Sequence, residues 1–108
     1  MPLHVQLQVQ TQIARTEGLQ GLFEDAHARL DDVELGLDEA NTRTLVHYLL
    51  ERGRVLNSSG SPDQAKGLFI DAWFNTQTDG KMDVLAIDAA HMVAIAVGDE
   101  PEDALEWN

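Results

Sequence analysis

The sequence predicts an all-α protein built of antiparallel helical hairpins stacked as a right-handed α-solenoid, and three observations lead there. Short strings that end a loop and open a helix recur: LFEDA at 22–26, SPDQA at 61–65 and EPEDA at 100–104, with Ala26, Ala65 and Ala104 spaced 39 residues apart. Gly21 and Gly60 fall one such period apart, just ahead of two of those helix starts, where a tight turn needs a residue that accepts positive φ. Behind each start, apolar residues step by three and four, the spacing of one helix face. A lone hairpin of this kind cannot bury its apolar face, so neighbouring units have to stack. The expectation is one domain over residues 1–108, with repeat units of roughly 3–37, 38–78 and 79–108.

The first element is the ambiguous one. In HVQLQVQTQI, residues 4–13, apolar Val5, Leu7, Val9 and Ile13 alternate with glutamines, as in a half-buried strand. Val5, Val9 and Ile13 are also spaced as a helical stripe, with Leu3 and Leu7 on the neighbouring row. The repeat decides: one period back from Val46, Tyr48 and Gly53 lie Leu7, Val9 and Ala14, so the segment holds the place of a unit's first helix. Phe23, Ala26, Leu30, Val33 and Leu37 mark the second helix of that unit. In NTRTLVHYLLERGRVL, residues 41–56, Leu45, Val46, Leu49, Leu50 and Leu56 surround the small Gly53, and Asp38 or Asn41 serves as cap. Ser61 as N-cap, Pro62 at the first helical position and Gln64 closing a capping box open the next helix, whose stripe is Ala65, Leu68, Phe69, Ala72 and Trp73. After the TQTDGK turn at 76–81 comes MDVLAIDAAHMVAIAV, apolar nearly all round through Leu85, Ala86, Ala89, Ala90, Val93, Ala94 and Val97, the pattern of a buried helix. Asp99, Pro101 and Glu102 open a last helix with eight residues from Pro101 to Asn108. That leaves the third unit undercovered and predicts either that the sequence is part of a longer repeat array or that a second copy covers this end in a homodimer.

Seven Lys and Arg against nineteen Asp and Glu set the net charge at −12, which repels phosphate backbones and favours cationic segments of another protein. Nucleic acid is therefore not expected as a partner. With no cysteine, thiolate metal sites, thiol catalysis and disulfide frameworks are excluded. The longest apolar run, Val84–Val97, is shorter than the roughly 20 residues of a membrane span and carries Asp88 and His91. The N-terminus lacks the basic start and apolar core of a signal peptide. A cytoplasmic protein without membrane contact is the expectation.

Helix, tight turn, helix, with a small residue midway along the first helix and Ala–x–x–x–Phe–x–x–Ala along the second, resembles the tetratricopeptide repeat (TPR) family. Gly53, Ala65, Phe69 and Ala72 of the middle unit carry the resemblance; Ala14, Ala26, Leu30 and Val33 extend it to the first unit, and Met92 and Ala104 to the third. The period of 39 exceeds the family's usual length of about 34, and the Pro near each unit's end is missing. The resemblance implies a non-enzymatic scaffold that binds a peptide or protein in a concave groove lined by the first helices. Carried over by position, those lining residues are Gln8, Thr11 and Arg15, then His47, Leu50, Arg54 and Asn57, then Ala86, Ala89, Val93 and Ala96. It also implies that Ala14, Ala26, Gly53, Ala65, Phe69, Ala72 and Ala104 are packing positions.

Arg15 and Arg54, again one period apart, suit two alternatives: a bidentate clamp for a partner's carboxylate, or pairing with local Glu or Asp. His4, His27, His47 and His91 invite a metal reading, with Asp88 and His91 on one helix face, but two ligands make no site and neither a metal nor another cofactor is expected. DEPED at 99–103 lacks the ligand spacing of a calcium loop and reads as charge favourable to a helix N-terminus. The serines of NSSGS at 57–61 sit in a turn without a nucleophile elbow, and no phosphate loop is present, so catalysis is not expected. The leading expectation is a protein-binding scaffold able to self-associate. Alternatives are a structural oligomerisation segment and, further off, a small helical ligand sensor or enzyme.

Overall fold

In a computed structural model of the chain, which describes residues 2–37, 41–77 and 82–96, five α-helices are present and no strand occurs among the described residues. They are α1 (Leu3–Leu19), α2 (Phe23–Glu34), α3 (Thr42–Ser58), α4 (Pro62–Thr76) and α5 (Asp83–Ala96). The glutamine-rich opening segment is helix. Its buried residues are Leu7, Thr11 and Ala14, at helical spacing, whereas Val9 and Ile13 are exposed. The stripe Val5, Val9 and Ile13 thus faces outward, and a strand's alternation is coincidental here.

Adding 39 to both bounds of α1 gives both bounds of α3, and adding it to the start of α2 gives the start of α4. The turns repeat as well. Gly21 and Gly60 adopt φ of 80° and 96°, and in each turn an N–H reaches back over the helix end, from Leu22 to the Glu17 carbonyl at 2.9 Å and from Ser61 to the Leu56 carbonyl at 2.8 Å. This closure satisfies carbonyls that the last helical turn leaves without partners. It also engages the Ser61 N–H that a capping box would need. Ser61 is the N-cap, but its hydroxyl makes no cap bond. At α3 the expected cap forms, and Asn41 Oδ1 accepts from the Thr44 N–H at 2.9 Å.

Equivalent positions of the two hairpins are buried alike: Leu7 and Val46, Thr11 and Leu50, Ala26 and Ala65, Leu30 and Phe69, Val33 and Ala72. Where the first hairpin has buried Ala14 and Leu30, the second has Gly53 and Phe69. The small residue loses its methyl as the opposing one grows a ring, which keeps the volume of the crossing nearly constant. A Cβ built on Gly53 would lie 2.8 Å from Phe69 Cδ1 and 2.9 Å from Cζ, so the ring occupies that space. Leu37, expected on the α2 stripe, lies past the helix end at Glu34, packed against the core from the following turn.

The third unit departs from the pattern. Helix α3 packs more on α1 than on α2, but α5 packs chiefly on α4 and meets α3 only along an edge. Its Val84 and Ile87 are 80% and 70% exposed. Ala104, assigned to packing, and the expected last helix lie outside the described residues.

Candidate functional site

The two arginines of the expected groove converge on one carboxylate, and it is the protein's own. Glu51 on α3 is 2% exposed. Arg54 donates through Nη1 to Glu51 Oε1, and through Nη2 to both oxygens of Asp88 on α5 at 2.6 Å. Arg15 on α1 brings its Nε to 3.6 Å from Glu51 Oε2, an ion pair too long for a hydrogen bond. A chain of four charges therefore links α1, α3 and α5. Burial raises the Glu51 carboxyl above its ordinary range despite both guanidiniums, so desolvation outweighs the attraction. This network occupies the Arg54 guanidinium that a partner's carboxylate would have to use, and the local-pairing alternative describes the geometry.

The other residues placed on the groove differ in exposure. Thr11, Leu50, Ala89 and Val93 are buried, with Thr11 donating to the Leu7 carbonyl at 2.7 Å. The register places them at helix contacts, and such contacts close around any side chain that points at the neighbouring helix. Gln8 donates to Thr44 Oγ1 at 3.1 Å and so ties α1 to α3. His47, half-buried beside Arg43, has its imidazole pKa lowered, first by burial and then by that cation. Asn57, Ala86 and Ala96 are half-buried. Asp88 is engaged by Arg54, so its pairing with His91 as metal ligands lapses, and among the described residues no three ligand-type side chains come together.

An open trough does exist, elsewhere. The end of α2 with its following turn, the outer side of α3 and the side of α4 enclose about 780 Å³ lined by Leu35, Leu37, Leu45, Leu49, Leu68 and Tyr48. Leu49 and Tyr48 form a buried floor, while Leu35 is 84% exposed at the lip. Asp31 and Glu34 form the rim. Arg52 spans it, donating to Asp31 at 2.8 Å and to the Tyr48 hydroxyl at 3.4 Å, and that hydroxyl donates to Glu34 at 3.1 Å. Burial raises the Tyr48 pKa, which keeps it a neutral donor. Sequence reasoning missed this trough because repeat logic assigned the groove to the first helices. The available signal was a pair of leucines, Leu35 and Leu37, beyond the last residue that α2 could bury.

A third surface is the outward stripe of α1, where Val5, Val9 and Ile13 run between Gln8, Gln12 and Thr16 over a shallow depression. No family model, curated protein or solved structure matches this chain.

Proposed function

We propose that this chain is a non-enzymatic, TPR-like helical-repeat module of the cytoplasm, a right-handed solenoid that binds a protein segment presenting apolar side chains flanked by basic ones. The observation that carries the reading is the leucine-lined trough between α2, α3 and α4 with Asp31 and Glu34 on its rim. An exposed leucine beside an enclosed apolar floor is costly in water and recovers roughly 25 cal/mol for each Å² of apolar surface that a partner covers. Two rim carboxylates, Asp31 and Glu34, against the single rim cation Arg52 leave the rim net negative, which on a chain of net charge −12 favours lysine or arginine beside the buried anchors and repels acidic competitors. The shared 39-residue register of the two hairpins supports the repeat reading. Self-association through the third unit is the second reading, favoured by exposed Val84, Ile87 and Ile95 on α5.

Fluorescence anisotropy with a labelled amphipathic Leu/Lys peptide and its Leu/Glu counterpart tests the proposal. The Leu/Lys peptide binds, the Leu/Glu peptide does not, and Leu35→Asp weakens binding by about tenfold. Leu35→Asp adds negative charge, so a general attraction of cations to the acidic protein would strengthen binding. Equal binding by wild type and Leu35→Asp, or by both peptides, overturns the assignment.

A further inference from the structure

The outward face of α1 has an exact structural counterpart inside the protein. Moving Val5, Val9, Gln12, Ile13 and Thr16 forward by one 39-residue period gives Thr44, Tyr48, Glu51, Arg52 and Val55 of α3. Every one of those five meets the preceding hairpin. Thr44 accepts from Gln8, Tyr48 donates to Glu34, Glu51 pairs with Arg15, Arg52 pairs with Asp31, and a Cβ on Gly18 would lie 3.0 Å from the Val55 methyl. The face of a first helix that seats it on another hairpin is covered in α3 and bare in α1, where Val9 is 43% and Ile13 38% exposed.

Charge selects what covers it. From Leu3 to Thr16, α1 carries no carboxylate and its open face is wholly neutral, in a protein of net charge −12. Where α3 has Glu51 and Arg52, charged groups that demand particular partners, α1 has Gln12 and Ile13. A basic partner would find nothing to pair with on this face. Two copies of the chain repel one another over most of their surface, and a neutral face permits approach. Glutamine is also self-complementary, since its amide both donates and accepts, and aliphatic Val5, Val9 and Ile13 match an identical stripe run in the opposite sense. A two-fold axis near Val9 sets Val5 of one protomer against Ile13 of the other, an isologous and therefore closed contact.

We propose that the outward face of α1 is a homodimer interface, formed by antiparallel packing of α1 against the α1 of a second copy through Val5, Val9, Gln12 and Ile13. This surface is distinct from the trough and from the exposed apolar residues of α5. A contact limited to one helix face of each protomer is small, so association is weak and concentration-dependent.

Sedimentation velocity across a wide concentration range, at low and at physiological salt, provides the test. The wild type moves from 11.9 kDa toward twice that mass with concentration, and salt promotes the shift by screening like-charge repulsion. Val9→Glu, at a partly exposed site, keeps the helical circular dichroism and remains monomeric, whereas Ile87→Glu on α5 dimerises as the wild type does. Because the chain has no cysteine, Val9→Cys supplies a unique thiol that a short bis-maleimide captures as a covalent dimer, and Ile87→Cys yields little. A wild type that is monomeric throughout, or a dimer that survives Val9→Glu and fails with Ile87→Glu, overturns the proposal.

Discussion

Gly53 and Phe69 show how much one methyl group matters where α3 crosses α4. Alanine is the better helix former by about 1 kcal/mol, yet at Gly53 its Cβ meets ring carbons of Phe69 closer than 3 Å. Overpacking costs about 1–3 kcal/mol, so Gly53→Ala is expected to destabilise by about 1 kcal/mol net in urea unfolding. Gly67 on α4 has open space around it, and there Gly67→Ala stabilises by about 0.5–1 kcal/mol. Glu51 supplies a second residue-scale test. Burial raises its folded pKa above the ordinary value of 4.5, so the native state holds its proton to higher pH than the unfolded chain does. In that window the folded protein binds more protons, and stability falls as pH rises from about 4.5 through the raised value. Glu51→Gln removes this contribution. Unfolding curves across that range show the wild type losing stability relative to the variant, and parallel profiles would refute the assignment.

Helix boundaries are set by chemistry at their ends more than by propensity within them. Asn41 holds the Thr44 N–H at the start of α3, so Asn41→Ala costs about 1 kcal/mol. Ser61 occupies the same position at α4, but its hydroxyl makes no cap bond, while its backbone N–H closes the glycine turn onto the Leu56 carbonyl. Ser61→Ala therefore changes stability by less than about 0.5 kcal/mol. Thermal melts of the two variants side by side distinguish a hydroxyl cap from a turn closed by backbone. The contrast also explains why α1 is helical despite alternating valines and glutamines. Its seat on α2 and α3 needs Leu7, Thr11, Ala14 and Gly18 in register, and only a helix provides that spacing.

At the scale of the whole molecule, charge and repeat register act on different surfaces. A trough rimmed by Asp31 and Glu34 draws cations, so salt weakens its complexes, whereas the neutral α1 face joins like-charged copies and salt strengthens that contact. One titration with sodium chloride moves the two associations in opposite directions if both surfaces act as proposed. The chain Arg15–Glu51–Arg54–Asp88, buried at Glu51 and open to solvent at its Arg15 end, ties α1, α3 and α5 together. It lies among residues expected to line a groove, and Arg15 and Arg54 also border a small pocket of about 70 Å³ with Gly18, Leu19, Val55 and Ser58.

The sequence by itself determined that the chain is helical, where the glycine turns fall and which residues fill the hairpin crossings, because local periodicity, turn chemistry and the 39-residue spacing all report on the same backbone. Ala14, Ala26, Gly53, Ala65, Phe69 and Ala72 were legible as buried positions for that reason. Tertiary structure alone decided which face of each helix meets a neighbour, and with it the fate of the groove residues. Arg15 and Arg54 meet Glu51 and Asp88 only because α1, α3 and α5 come together across long stretches of chain. Val5, Val9 and Ile13 face outward because, among the described residues, no hairpin packs against that side of α1, and the same stripe read in isolation is indistinguishable from a core.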